Sequence, residues 1–387
     1  MLTIQTILVY SLLASGMFLF SKRKKTSLVS IHQLVPILLF IFIFGLRYNV
    51  GIDWENYQQI YEDELAGMTF QEMLLSTRYE IGFLFIVFLC HSFNLSIYVF
   101  FSLLAAIQII FIYYAFRDEK NNVISYIYIT LILTGIATQG FCNVIRQNIA
   151  FCFFLYAIKF IANKKFVPYF LFCLLACCFH KISVILFPIY LLHRCKQSAF
   201  HNTLIQYALL ILCLILSLSN TLPINFTKFN NIYAILGFDH YSEFELKTYK
   251  YGITTIVYFI TNLTVILYSN KLKEFYNSTK FNIIYDLYFI GICCSLLFVG
   301  NMVLQRTALF FTNMLFIMYG YVLSFCVLNK KSYFKLYAAI IFALVTSFTS
   351  MIYHCQETTD AYVFSFQEEL HQLKDMQREA HLFNRPN

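Results

Sequence analysis

Apolar stretches of 12 to 23 residues, separated by short polar breaks, recur from the first residue to about residue 353. A helix needs roughly 20 residues to cross a hydrocarbon layer of about 30 Å, and the pattern repeatedly reaches that length. Helices are predicted at 1–20, 29–46, 81–93, 96–116, 122–139, 142–162, 166–179, 182–193, 204–220, 251–269, 283–300, 305–327 and 336–353. The fold class is therefore all-α: a polytopic integral membrane protein with about 12–13 transmembrane or re-entrant helices. Residues 1–353 read as a single membrane domain with two large loops, 47–80 and 221–250, and 354–387 as a polar tail that is surface-lying or disordered. No internal repeat or low-complexity segment interrupts the series.

The polar breaks carry a sidedness. Lys22–Lys25, Arg117–Lys120, Lys164 with Lys165, His193–Lys196, Lys271–Lys273 and Lys330–Lys335 are basic, as cytoplasmic connections are. Placing them inside puts Arg146, the turn at His180, loop 221–250, Arg306 and the tail on the outer face. The alternation closes from residue 117 onward and fails before it, because two apolar segments lie between the outer loop 47–80 and Arg117. Segment 81–93 dips in and returns, or one of the first two helices does not cross, or loop 47–80 lies inside. The first is preferred, since non-crossing backbone is tolerated where protein or a wet cavity surrounds it. Within loop 47–80 the apolar spacing over 65–75 predicts a surface helix.

Composition agrees with the pattern: 59% of residues are hydrophobic and 12% charged, far from soluble usage. The net charge of +8 does not imply nucleic acid, because the Lys and Arg residues cluster between apolar runs. Cys90, Cys152, Cys173, Cys177, Cys178, Cys213, Cys293, Cys294 and Cys326 sit within apolar segments without a CxxC spacing, and read as small buried hydrophobes. The first apolar run has no basic region before it and no cleavage site after it, so it reads as a helix rather than a secretory signal.

Charge near a bilayer costs roughly 2.5–3.5 kcal/mol per group and needs a partner or a purpose. Four places hold such charge. Phe44–Tyr61 contains Arg47, Asp53 and Tyr57. In CNVIRQNIAF, Asn143, Arg146, Gln147 and Ala150 share one helical face. ACCFHKISVILFP presents His180 and Lys181 between two short apolar segments, and GNMVLQRTALFFTN opens a span with Gln305 and Arg306. Singly, an arginine at a helix end snorkels to headgroups, and a histidine at a hairpin tip is structural. Together they offer planar donors for phosphate and groups able to accept a proton. The rings and acids of loop 221–250 (Tyr233, Phe238, Asp239, His240, Tyr241, Glu243, Glu245, Tyr249) suit sugar recognition and equally suit an interfacial aromatic belt.

The succession R-Y-N-V-G-I-D-W-E-N-Y (47–57), E-I-G-F (80–83), N-V-I-R-Q-N-I-A (143–150) and F-H-K-I-S-V-I (179–185) resembles the EpsG family, over roughly residues 28–320. These are membrane proteins grouped with the Wzy-type polymerases of bacterial exopolysaccharide, capsule and O-antigen synthesis. The family usually has Thr-Asp-Tyr where this chain has Ile52-Asp53-Trp54. The resemblance implies a Wzy-like, GT-C-like membrane glycosyltransferase at the outer face of the cytoplasmic (inner) membrane. Its donor and acceptor would be undecaprenyl-pyrophosphate-linked glycans, with a chain-length regulator as a further partner. Arg47, Arg146 and Arg306, with Tyr57, Gln147 and Lys181, would then bind substrate and its pyrophosphate. Asp53 would be the base for the attacking hydroxyl, with His180 as its rival or as hydrogen-bonding partner to the leaving group. The arrangement requires no metal and no cofactor, and the chain has no DxD motif. A glycan ligase, a sugar-modifying membrane acyltransferase using His180, and a transporter of lipid-linked sugar are the competing classes.

Overall fold

A computed structural model describes residues 2–21, 31–194, 198, 200–218, 252–299, 302–329, 332–357 and 361–383. Helix makes up 81% of the structure. Among the described residues six helices are long and apolar enough to cross a membrane, seven if one bent pair counts as a single span. The chain is a multi-pass helical membrane protein. Loop 221–250 and the basic residues Lys22–Lys25, Lys196 and Lys330 lie outside the described residues.

Two compact units are present. The first comprises Met1–Ala157, Phe170–Ser183 and Leu344–Asn387, and the second Ile158–Tyr169 and Val184–Ala343. In the first, α1 (Leu2–Phe20) and α2 (Ile31–Gly45) lead into a short helix α3 (Trp54–Gln59) that runs on as a π-turn over Ile60–Glu64. The loop helix expected over 65–75 forms later, as α4 (Phe70–Ser76). The delay has a local cause: Thr69 and Glu72 make a capping box, which fixes where the helix starts. Then follow α5 (Ile81–Ser92), α6 (Ile97–Phe116), α7 (Val123–Leu133), a π-turn over Ala137–Phe141, α8 (Ile145–Ala162) and α9 (Phe166–Cys177).

The path between residues 81 and 116 runs through α5 and α6. Tyr113 at the end of α6 donates to Gln33 at the start of α2 (3.1 Å), while a side chain on Gly45 at the end of α2 would run into Ser102 near the start of α6. The two helices are therefore antiparallel, and α6 begins on the side where α2 ends. Helix α5 has 12 residues, about 18 Å of rise, too short for the hydrocarbon layer. Both its ends stay with α3 and the π-turn: Phe83 lies 6.0 Å from Tyr57, His91 lies 4.5 Å from Tyr61, and Tyr61 donates to the Leu95 carbonyl (2.6 Å). Asn94, at φ +49°, ends α5 in the left-handed conformation that asparagine tolerates. Segment 81–93 therefore runs beside α3 and the π-turn and is too short to cross by itself.

The second unit contains a 3₁₀ segment that begins in the first (Lys181–Arg194), then α10 (Thr203–Leu218), α11 (Ile253–Leu267), α12 (Ser269–Tyr276), α13 (Thr279–Leu297), α14 (Met302–Thr312) and α15 (Met314–Leu328). Helices α11 and α12 meet at 57°, the bent pair noted above. Packing of α13 on α14 depends on Gly291, where any Cβ would collide with the main chain at Phe311, the close backbone approach that small residues permit in membranes. Asp286, buried in α13, accepts from Ser198 and from the Phe200 amide (3.4 Å). Described cysteines are free thiols, most of them buried.

Helix α16 (Phe334–Glu357) returns to the first unit, and the tail ends in α17 (Glu368–Phe383). The tail packs on the first unit. Ala361, Val363 and Leu370 form an apolar cluster with Leu2, and Phe364 pairs with Arg47 in an antiparallel bridge.

Candidate functional site

Local backbone shape decides how the stretch after α2 is presented. Asn49 (φ +49°) and Gly51 (φ +100°) both take left-handed conformations, so the chain turns sharply before α3. Gly51 must also lack a side chain because a Cβ there would strike the Asn143 amide. That contact seats the Arg47–Tyr57 stretch against the start of the Asn143–Ala150 stretch. Asp53 occupies the N-cap position of α3, half-buried, and its carbonyl accepts from the Tyr57 amide (3.0 Å). Trp54, Tyr57 and Phe101 form a buried aromatic floor.

Arg47 is buried beneath this stretch. Its guanidinium donates to the Phe44 carbonyl and to the Cys142 carbonyl (3.4 Å), and lies 4.3 Å above the Phe101 ring. Phe44 belongs to the last turn of α2, where carbonyls lack helical partners and the helix dipole favours a cation. The residue thus caps α2 and ties it to the Cys142 backbone.

Arg146 opens α8 and is more accessible, with about a quarter of its side chain exposed. Its Nη1 forms an ion pair with Glu80 Oε2 at 2.5 Å. The Tyr57 hydroxyl is its other polar neighbour, and the rings of Tyr79 and Phe83 lie 5.2 and 5.5 Å from the guanidinium carbon. Burial pushes the Tyr57 hydroxyl above its ordinary pKa; Arg146 opposes that and the Asp53 carboxylate reinforces it. Tyr57 is therefore a neutral donor at physiological pH.

Glu80 joins a third stretch to the site. Its Oε1 accepts the Lys181 main-chain N–H (3.3 Å), so one carboxylate holds Arg146 on one oxygen and the His180–Lys181 turn on the other. Gly82 reinforces the join: its N–H donates to the Cys178 carbonyl (2.7 Å), and a Cβ there would overlap that oxygen and the Phe179 ring. His180 is buried at this turn, and Phe179 packs edge-on against Phe153 of α8 (5.4 Å).

The tail supplies a strap over the opening stretch. The Ser365 and Tyr48 main-chain N–H groups donate to the Leu46 and Val363 carbonyls (2.8 Å each), and the Tyr362 hydroxyl donates to the Ile43 carbonyl (2.6 Å). Tyr48 stacks on His371 at 3.5 Å and donates to Asp375 (3.0 Å), which also accepts from Asn49 (3.2 Å). Burial and the bond to Asp375 push the Tyr48 hydroxyl up to about 12.

Of the residues singled out in the sequence, the structure places Arg47, Asp53, Tyr57, Arg146, Gln147, His180 and Lys181 in the first unit. Arg146 and Asp53 both act electrostatically on Tyr57, and Lys181 is reached through Glu80. Gln147 is fully buried within α8. Arg306, half-buried in α14, belongs to the second unit. Sequence reading missed the central part of Glu80, one of nine charged residues in the 47–80 loop. Its position, directly before an apolar run, was the available signal.

A family model described as the EpsG family matches residues 30–366, nearly the whole chain. Neither a search of curated proteins nor one of solved structures finds a match.

Proposed function

The chain belongs to the EpsG family, and we propose that it polymerises undecaprenyl-pyrophosphate-linked oligosaccharide repeat units at the outer face of the bacterial cytoplasmic membrane. Membership supports a Wzy-like polymerase role in general; the particular reaction is our reading. The observation that carries it is the meeting of separate stretches around one accessible arginine: Tyr57 from α3, Glu80 before α5, Arg146 on α8 and the Lys181 turn.

In this reading a sugar hydroxyl of one lipid-linked repeat attacks the anomeric carbon of the growing glycan. The C–O bond to the pyrophosphate breaks and the hydroxyl proton passes to a base. Arg146 receives the departing pyrophosphate through guanidinium donors that Glu80 leaves free, with Lys181 adding charge beside it. Asp53 takes the proton, with His180 as its rival or as donor to the leaving group. Tyr57 donates to a substrate oxygen. Arg47 holds α2 and the loop in place for substrate. Arg306, in the second unit, is a further candidate for binding substrate.

The deciding experiment removes the protein from its producing cells and examines lipid-linked glycan. Accumulation of single repeat units is expected. Full-length polymer in those cells overturns the reading, and polymer of normal length that is no longer attached to its final acceptor replaces it with a ligase.

A further inference from the structure

The second unit holds a cleft of about 260 Å³ between α10, α11, α13, α14 and α15. Asn262, midway along α11, is buried and forms part of its wall. Two buried hydroxyls fix the orientation of that amide: Tyr288 of α13 donates to Oδ1 at 2.8 Å and Tyr319 of α15 at 3.2 Å. With the oxygen held by two donors, the NH₂ end is turned the other way, and among the described residues Nδ2 makes no hydrogen bond. A buried amide within an apolar helix is costly unless its donors are met. Here three helices spend two tyrosines on aiming it.

We infer that this cleft is a binding site for a neutral pyranose ring. The wall supplies hydroxyls and an amide from Thr255, Ser295, Thr312 and Gln305, and contains no Asp, Glu, Lys, Arg or His among the described residues. That composition disfavours a charged ligand, whose burial would have no counter-charge. A hydrocarbon chain fits no better, because it would leave the Asn262 donors unmatched. Tyr258 and Phe259 provide flat apolar surface for the C–H face of a sugar. The volume, just below the usual range of about 300–1,000 Å³ for ligand pockets, suits one ring rather than an oligosaccharide. The saccharide source rests on the function proposed above, where lipid-linked glycan is donor and acceptor.

The test uses the full-length protein in lipid nanodiscs and saturation-transfer difference NMR. Methyl glucoside, methyl galactoside and methyl N-acetylglucosaminide are the probes, with methyl glucuronide as the charged control. At least one neutral glycoside should receive saturation. Asn262→Asp keeps an oxygen for both tyrosines but removes the donor, and should weaken that signal tenfold or more. Thr255→Val, which leaves the tyrosine pair untouched, should weaken it severalfold. No saturation of any neutral glycoside, equal saturation of the glucuronide, or an unchanged signal in both variants overturns the site. Failure here with single repeat units still accumulating in deleted cells removes the sugar site and leaves the polymerase. Binding that persists although deleted cells make full polymer removes the polymerase and leaves the site.

Discussion

Arg146 is gripped by groups from two other parts of the chain, Tyr57 and residues 79–83, which leave some of its donors open. Glu80 is the most consequential, because it also fixes the turn carrying His180 and Lys181. A hydrogen bond to a charged group contributes about 1.5–3 kcal/mol, so Glu80→Ala should slow polymer formation roughly 10- to 100-fold. Glu80→Gln retains one acceptor and should fall between the two; rate is read as polymer formed per unit of membrane-inserted protein. Wild-type rates in Glu80→Ala would mean that the pair is incidental. Arg146 was legible in the sequence as a charge on a helical face, and Tyr57 as part of the polar stretch after α2. Glu80 was not, since only a contact across 66 residues separates it from the other loop acids. Arg47 shows the converse limit. As a charge it looked the equal of Arg146, but its partners are main-chain carbonyls, which no side-chain pattern reveals.

Among the elements, α5 is the one whose hydrophobicity misstates its path. Its apolar run is continuous enough to suggest a span, and only its length argues otherwise. The structure packs Phe83 and His91 against successive turns of the α3 region, so both ends of α5 stay beside it. Cysteines introduced at Arg78 and at Phe93, both exposed, should react with an impermeant maleimide added to the same face of the membrane. Labelling of one only from outside and the other only from inside would restore a crossing. Helix α3 was not anticipated, because six residues give too little periodicity to read. Its start is set instead by the left-handed turn at Asn49 and Gly51.

For the whole molecule, hydrophobic runs were sufficient to establish a multi-pass helical fold, since lipid leaves backbone polar groups no other way to be satisfied. The same logic is blind to tertiary grouping: Arg306 was read as a companion of Arg146, and the two belong to different compact units. Arg146→Ala and Arg306→Ala should each reduce polymerisation at least tenfold, read as polymer formed per unit of membrane-inserted protein. Wild-type chain length in both variants would remove the pyrophosphate role.

The strap has a consequence in time. Asp375 and His371 close over Tyr48 and Asn49, yet more than 320 residues separate Asp375 from either partner. During synthesis the signature loop reaches the membrane surface long before its cover exists. A nascent chain stopped within α16 would hold every residue of the Arg146 cluster but lack the strap. Completion of the loop's surroundings is therefore coupled to translation of the tail, and membrane insertion alone is not a measure of a finished enzyme.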